Sequence, residues 1–173
     1  MAENTKIQMR QSEVEAIVRQ IAEDVFEKLD YYHSEPTYRN AMEVGLRLRN
    51  IPYESERVLE VKYQGCHVGT VRVDLIVGEG DERIVVELKQ LNDGVDHEHK
   101  SQLLRYMRFT GISHGILINF LQPKKLKIAE TKGADRRPRF TVVPVTLDLH
   151  AELAQILTKK AAAKKAAQPK KKR

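Results

Sequence analysis

The sequence predicts an α/β fold of the α+β kind: a central mixed sheet flanked by helices, with elements in the order ααβββαβ. Three observations carry this. Residues 12–48 hold two stretches of apolar residues at helical spacing, residues 57–89 hold three short apolar runs divided by glycine turns, and residues 96–120 join a third helical stretch to a buried apolar run.

Residues 1–10 are polar and read as a flexible N-terminus. Ser12 with Glu15 three positions on forms a capping-box pattern. Val14, Ile17, Val18, Ile21, Val25 and Leu29 then give the first helix one apolar face. After Asp30-Tyr-Tyr-His-Ser34, Pro36 stands where a second helix can start, because the first turn needs no N–H from it. Tyr38, Ala41, Met42, Gly45, Leu46 and Leu48 form that helix's apolar face. Glu35, three and seven residues before Tyr38 and Met42, shares this inward side. An acid there is unusual.

The strands are expected over 57–63, 67–77 and 83–89, with Gln64-Gly65 and Gly78-Glu-Gly-Asp81 as tight turns, which makes an antiparallel meander. A third helix over 96–109 stops at Gly111. His114 to Phe120 reads as a buried strand. Residues 121–139 form a basic loop with a weak helical signal near Leu126. Residues 140–147 read as an edge strand, since Pro144 cannot donate to a ladder, and 151–157 as a short helix. The chain thus divides into residues 1–10, one domain over 11–157, and a basic tail over 158–173.

Lys and Arg number 30 against 24 Asp and Glu, a net charge of +6. The last sixteen residues hold eight basic side chains and no acid, so residues 1–157 carry 22 basic against 24 acidic groups, a net −2. The positive charge therefore belongs to the tail. A lone cysteine, Cys66, excludes an internal disulfide and a cysteine-based zinc cluster and fits a reducing compartment. The start lacks a signal-peptide core and no apolar run approaches a membrane span, so the expectation is an intracellular protein with no membrane partner.

Strand alternation places Arg72, Asp74 and Ile76 on one face and Val85, Glu87 and Lys89 on one face of the next strand. A carboxylate from each of two neighbouring strands suits a hard divalent cation, with room left for water and a phosphate. Lys89 then lies where it can orient that water or cover developing negative charge. The plain alternative is three solvated residues on the outer face of a half-exposed sheet. His97 and His99 diverge on a helix and make a poor metal pair.

Ser34-Glu-Pro-Thr-Tyr38, Val73-Asp-Leu-Ile-Val77, Val85-Val-Glu-Leu-Lys89, Gln102-Leu-Leu-Arg-Tyr106 and Gly115-Ile-Leu-Ile-Asn-Phe120 follow one another with suitable gaps. Together they resemble the GxxExxY proteins of the PD-(D/E)XK nuclease superfamily, over about Ile17 to Phe120. The chain has Tyr31-Tyr-His-Ser34 where that family has a glycine-rich turn, and Val73 where the superfamily has proline. The resemblance implies a restriction-endonuclease-like core and a Mg²⁺- or Mn²⁺-dependent nuclease acting on nucleic acid, most readily DNA. It implies that Asp74 and Glu87 are metal ligands and Lys89 the catalytic lysine. Glu35 is implied as a further ligand or a water-positioning group. Gln102 and Tyr106 match a Gln-x-x-x-Tyr signature of RecB-like nucleases. For these two the alternative is a polar helix residue and a core tyrosine. Many such nucleases pair to cut both strands, which leaves a homodimer open.

Pro169-Lys-Lys-Lys-Arg173 resembles a nuclear localisation signal, giving a nuclear location if the host is eukaryotic and a cytoplasmic one otherwise. Candidate nucleic-acid contacts are Arg72, Lys124, Lys125, Arg136, Arg137, Lys164, Lys165, Lys170, Lys171, Lys172 and Arg173. With all eight tail charges on phosphates, the salt slope of duplex binding approaches about −7. The competing expectation is a catalytically silent DNA- or chromatin-associated protein that keeps the nuclease fold and binds through its tail.

Overall fold

The computed structural model describes residues 10–122 and 141–147. The expected helix near Leu126, the helix over 151–157, the basic loop and the tail fall outside the described residues.

Helix α1 spans Gln11–Leu29 and α2 spans Glu35–Leu48. Strands β1 (Tyr53–Tyr63), β2 (Cys66–Val77) and β3 (Ile84–Lys89) follow. Helix α3 (His97–Thr110) and strands β4 (His114–Asn119) and β5 (Thr141–Thr146) complete the described fold. The sheet runs β1-β2-β3-β4-β5. Among the described strands β3 and β4 pair in parallel, joined by the α3 crossover, and the other neighbours are antiparallel. This is the mixed, helix-flanked sheet expected, with β5 at the edge as Pro144 requires.

Two cores lie on opposite faces of the sheet. One packs α1 and α2 on Leu75, Val77, Ile84, Val86, Leu88, Ile116 and Ile118; the other packs α3 on Ile76, Val85 and Leu117. The two N-terminal helices approach closely because Gly45 has no side chain. A Cβ there would overlap the Ile21 side chain. At Gly111, φ is +70°, so the residue ends α3 in the left-handed conformation glycine adopts without strain.

Three local expectations need correction. Helix α1 begins before Ser12, because Glu13 accepts the Arg10 N–H at 2.8 Å and Glu82, across the fold, accepts the Gln11 N–H at 2.9 Å. These acids satisfy the first amides of a helix that starts at Gln11, so Ser12 sits inside its first turn instead of capping it. Leu48 is exposed rather than part of the apolar face of α2, which ends at Leu46. Alternation along β2 fails at Asp74: Val73 packs in the α3 cluster, whereas Leu75 and Val77 pack against α1 and α2. Glu56, between the Ser55–Leu75 and Arg57–Val73 pairs, is a strand residue with φ of +49°.

Strand β2 pairs with β3 only through Leu75, Ile76 and Val77, while β1 and β2 pair along their length. The hairpin over residues 57–73 therefore extends past β3, exposing Val58, Tyr63 and Val68. Cys66 is exposed near its tip. Among the described residues, no helix is long and apolar enough to cross a membrane.

Candidate active site

Where β2 parts from β3, the side chain of Asp74 replaces a strand partner: its Oδ2 accepts the Leu88 N–H at 2.9 Å. Glu87, on the β3 face shared with Val85, is only 2% exposed. Its Oε1 accepts a hydrogen bond of 2.6 Å from Lys89 Nζ, and its Oε2 is buried without a partner. An orphaned carboxylate oxygen is expensive to bury unless something positive meets it.

The electrostatics express that cost. Burial, then the negative charge of Asp74, pushes Glu87 up to about 7 against the pull of Lys89. Glu35, half-buried at the start of α2, is also raised, by burial first and by Asp74, with Lys89 and Arg39 acting in the opposite direction. Burial works against the charged form of Lys89, but the hydrogen bond and charge of Glu87, then Glu35 and Asp74, outweigh it and hold the amine above its ordinary value. Lys89 is thus a firm cation.

Ser34 caps α2, accepting the Thr37 N–H at 3.4 Å, and this places Glu35 in the first turn. Glu35, Asp74, Glu87 and Lys89 all enter one another's electrostatic field. Even so, among the described residues no three His, Cys, Asp or Glu side chains converge tightly enough to make a ready cage for an ion. The donor set fits a cation that keeps much of its water: Mg²⁺ needs only one or two carboxylates and completes its octahedron with water and phosphate oxygens. The orphaned Glu87 Oε2 beside Asp74 meets that requirement.

On α3, Gln102 Nε2 donates to Tyr106 Oη at 2.8 Å, so the two signature residues bond each other. The Tyr106 ring is a core residue and Arg105 lies over it, 5.7 Å from the centroid. The exposed face of this helix borders an open groove lined by His97, Glu98, Ser101, Gln102 and Arg105. His99 pairs with Asp96 at the helix start, and His33 donates to the Leu29 carbonyl. Arg72 does not pair with Asp74; it is largely exposed and lies 3.2 Å from Glu56. Lys124, Lys125, Arg136, Arg137 and the tail's Lys164, Lys165, Lys170, Lys171, Lys172 and Arg173 fall outside the described residues.

Sequence reading passed over three side chains that frame the site. Arg39, one turn after Glu35, approaches both Glu56 and Asp74. Asn119 is fully buried opposite Lys89; its amide accepts the Leu91 N–H at 2.8 Å and donates to the Asp93 carbonyl at 3.0 Å, pinning the chain that follows Lys89. Gln122 accepts the Tyr32 N–H at 2.6 Å and donates to the Phe120 carbonyl, securing the loop before Glu35. A polar residue closing the apolar run Ile-Leu-Ile-Asn-Phe was the available signal for Asn119. Asn119→Ala is expected to cost about 2 kcal/mol, because two part-buried hydrogen bonds of about 1 kcal/mol each, to the Leu91 N–H and the Asp93 carbonyl, are lost. Denaturant titration checks this, and a loss below about 0.5 kcal/mol, the range of an ordinary surface change, would show that the loop holds without it.

A family model for the PD-(D/E)XK nuclease superfamily matches residues 12–131. No curated protein matches the chain. Among solved structures, the chain is similar to SSO0001, with 15% identity and a TM-score of 0.43 over 86% of this chain and 85% of that one. It is also similar to a phage-related exonuclease from Haemophilus somnus 129PT, with 15% identity and a TM-score of 0.37 over 91% of each chain. The family match spans α1 through β4, taking in Glu35, Asp74, Glu87 and Lys89 on the mixed sheet expected of such a core, and the chain belongs to the PD-(D/E)XK nuclease superfamily.

Proposed function

We propose that this protein is a divalent-cation-dependent nuclease of the GxxExxY group that hydrolyses phosphodiester bonds in DNA. The observation that carries the reading is Glu87: a carboxylate buried on a strand, one oxygen without a partner, and driven towards protonation by that burial and then by the charge of Asp74 on the neighbouring strand. Such an arrangement is costly as a purely structural device and suited to gripping a cation.

Asp74 and Glu87 would hold Mg²⁺ or Mn²⁺, with Glu35 as a further ligand or as the group that positions water. When bound, the ion supplies a water of lowered pKa and stabilises charge on the phosphoryl oxygens. Lys89, kept protonated and tethered through Glu87, donates to the attacking water or to a phosphoryl oxygen as negative charge develops. The Gln102–Tyr106 pair presents a polar edge above the α3 core for the nucleic-acid backbone. Arg72, the basic residues of 124–137 and the tail would supply contacts without sequence reading. The tail also supports a nuclear location in a eukaryotic host and a cytoplasmic one otherwise.

The test is cleavage of labelled DNA with Mg²⁺ by the wild type, Asp74→Ala and Lys89→Ala. Both variants are expected to lose at least about 100-fold in rate, the scale of removing a group that stabilises transition-state charge. Equal activity in all three overturns the proposal. Salt-sensitive DNA binding that disappears on deleting residues 158–173, with no cleavage by any form, would instead establish a silent binding protein.

A further inference from the structure

The acids at the root of the β1–β2 hairpin have a second cation beside them that the hydrolysis above does not use. The Arg39 side chain is 11% exposed; its Nη2 lies 3.2 Å from Glu56 Oε1 and its Nη1 lies 4.0 Å from Asp74 Oδ1. Its Nε is buried and has no partner. Glu56 occupies this position with a left-handed backbone inside a strand, and its Oε1 is also 3.2 Å from Arg72 Nη1. Strained residues of this kind persist where the surroundings hold them, and they gather at functional sites.

Asp74 divides its two oxygens. Oδ2 is spent on the Leu88 N–H, so Oδ1 is the atom left for a cation, and Oδ1 is the atom Arg39 faces. At 4.0 Å the two are too far apart for a hydrogen bond yet close enough for their charges to interact strongly. Arg39 therefore leaves Oδ1 free to bind while opposing any positive charge that arrives there.

With every group ionised, Glu35, Asp74 and Glu87 contribute three negative charges and Lys89 and Arg39 two positive ones, leaving the site at −1. A divalent cation alone takes it to +1. A phosphodiester brings one negative charge and restores neutrality. Without Arg39 the site stands at −2, and the cation alone neutralises it. Glu56 is shared, 3.2 Å from both Arg39 and Arg72, and counting Glu56 and Arg72 together leaves these totals unchanged.

We propose that Arg39 is a charge-balancing residue that lowers the affinity of the Asp74–Glu87 site for a lone divalent cation, so that the ion is held firmly only together with a phosphate. This rests on the reading of Asp74 and Glu87 as cation ligands. The coupling is reciprocal: whatever phosphate contributes to cation affinity, the cation contributes to phosphate affinity.

The experiment is calorimetric titration of the full chain with Mn²⁺, without nucleic acid. Arg39→Gln is expected to bind Mn²⁺ about tenfold more tightly than the wild type, the gain from removing a neighbouring like charge from a partly buried site. Arg39→Lys, which keeps the charge, is expected to retain the wild-type affinity. Glu56→Gln removes an anion from the far side of Arg39 and is expected to weaken binding; it leaves Arg39 in place and so serves if Arg39→Gln does not fold. Unchanged or weaker binding by Arg39→Gln, or unchanged or tighter binding by Glu56→Gln, overturns the role of Arg39 alone, provided the wild type shows a Mn²⁺ site that Asp74→Asn abolishes. If no such site exists, the ligand reading itself fails and this inference falls with it.

Discussion

Glu87→Gln is expected to remove cleavage activity while making the cation-free protein more stable than the wild type above neutral pH. The sign follows from burial. Glu87 holds its proton up to about 7 in the folded chain against an ordinary value of 4.5, so folding favours the protonated form. Its contribution to stability is complete below pH 4.5 and is lost as pH rises through about 7. At 1.36 kcal/mol per pH unit, the interval from 4.5 to about 7 corresponds to about 3 kcal/mol. Glutamine keeps the shape without the charge, so the stability of wild type minus variant should fall by about that amount between pH 4.5 and 8. Denaturant unfolding across this range in the presence of a chelator reads the effect of the Glu87 charge together with its influence on Lys89 and Glu35. A difference that stays flat with pH would mean that the ionised carboxylate is already satisfied in the fold, by Lys89 alone.

The largest purely structural effect is expected at Tyr38. Its ring is fully buried and stacked on Phe120 with centroids 4.3 Å apart, and its hydroxyl donates to the Asp30 carbonyl at 2.6 Å and accepts from Gln122 at 3.3 Å. Tyr38→Ala removes a large aromatic from the α1–α2 core and should cost about 3–5 kcal/mol. Tyr38→Phe keeps the ring and leaves polar partners short of one bond, a loss of about 1 kcal/mol. The hydroxyl ties down the loop that leads into Glu35, so Tyr38→Phe should also slow cleavage more than its stability loss explains. Comparing midpoints and rates for the two variants separates these roles. If Tyr38→Phe destabilises as much as Tyr38→Ala, the hydroxyl rather than the stacked ring carries the position.

Local periodicity made the helices and the meander legible, and an unbroken apolar run marked β4, because each element buries one face or both; the parallel pairing of β4 with β3 came only with the fold. Glu35 stood out as an acid on an apolar helix face, whereas Asp74, Glu87 and Lys89 were equally readable as solvated residues until the order of motifs around them was seen to resemble the nuclease superfamily. Arg39 and Glu56 were not, since each looks like an ordinary polar residue in its own segment and only tertiary folding brings them to Asp74. Gln122 was hidden for a related reason: it begins a basic stretch that reads as loop, and its partners, Tyr32 and Tyr38, are distant in sequence. Arg72 does not pair with Asp74 because Glu56, on the neighbouring strand and distant in sequence, takes its guanidinium at 3.2 Å.

The brief pairing of β2 with β3 gives the hairpin a mechanical character. Residues 57–73 do not pair with β3; their base is held on the α3 core by Leu59, Val71 and Val73, with Asp74 at the fulcrum. Opening of the distal hairpin is therefore a local event of low free energy compared with unfolding the cores. The Leu88 amide, shielded by a carboxylate where a sheet would offer a carbonyl, becomes a built-in gauge of that fulcrum. Its rate of hydrogen exchange follows whatever competes for Asp74 or pulls it away, so one amide reports on the load carried by the hairpin.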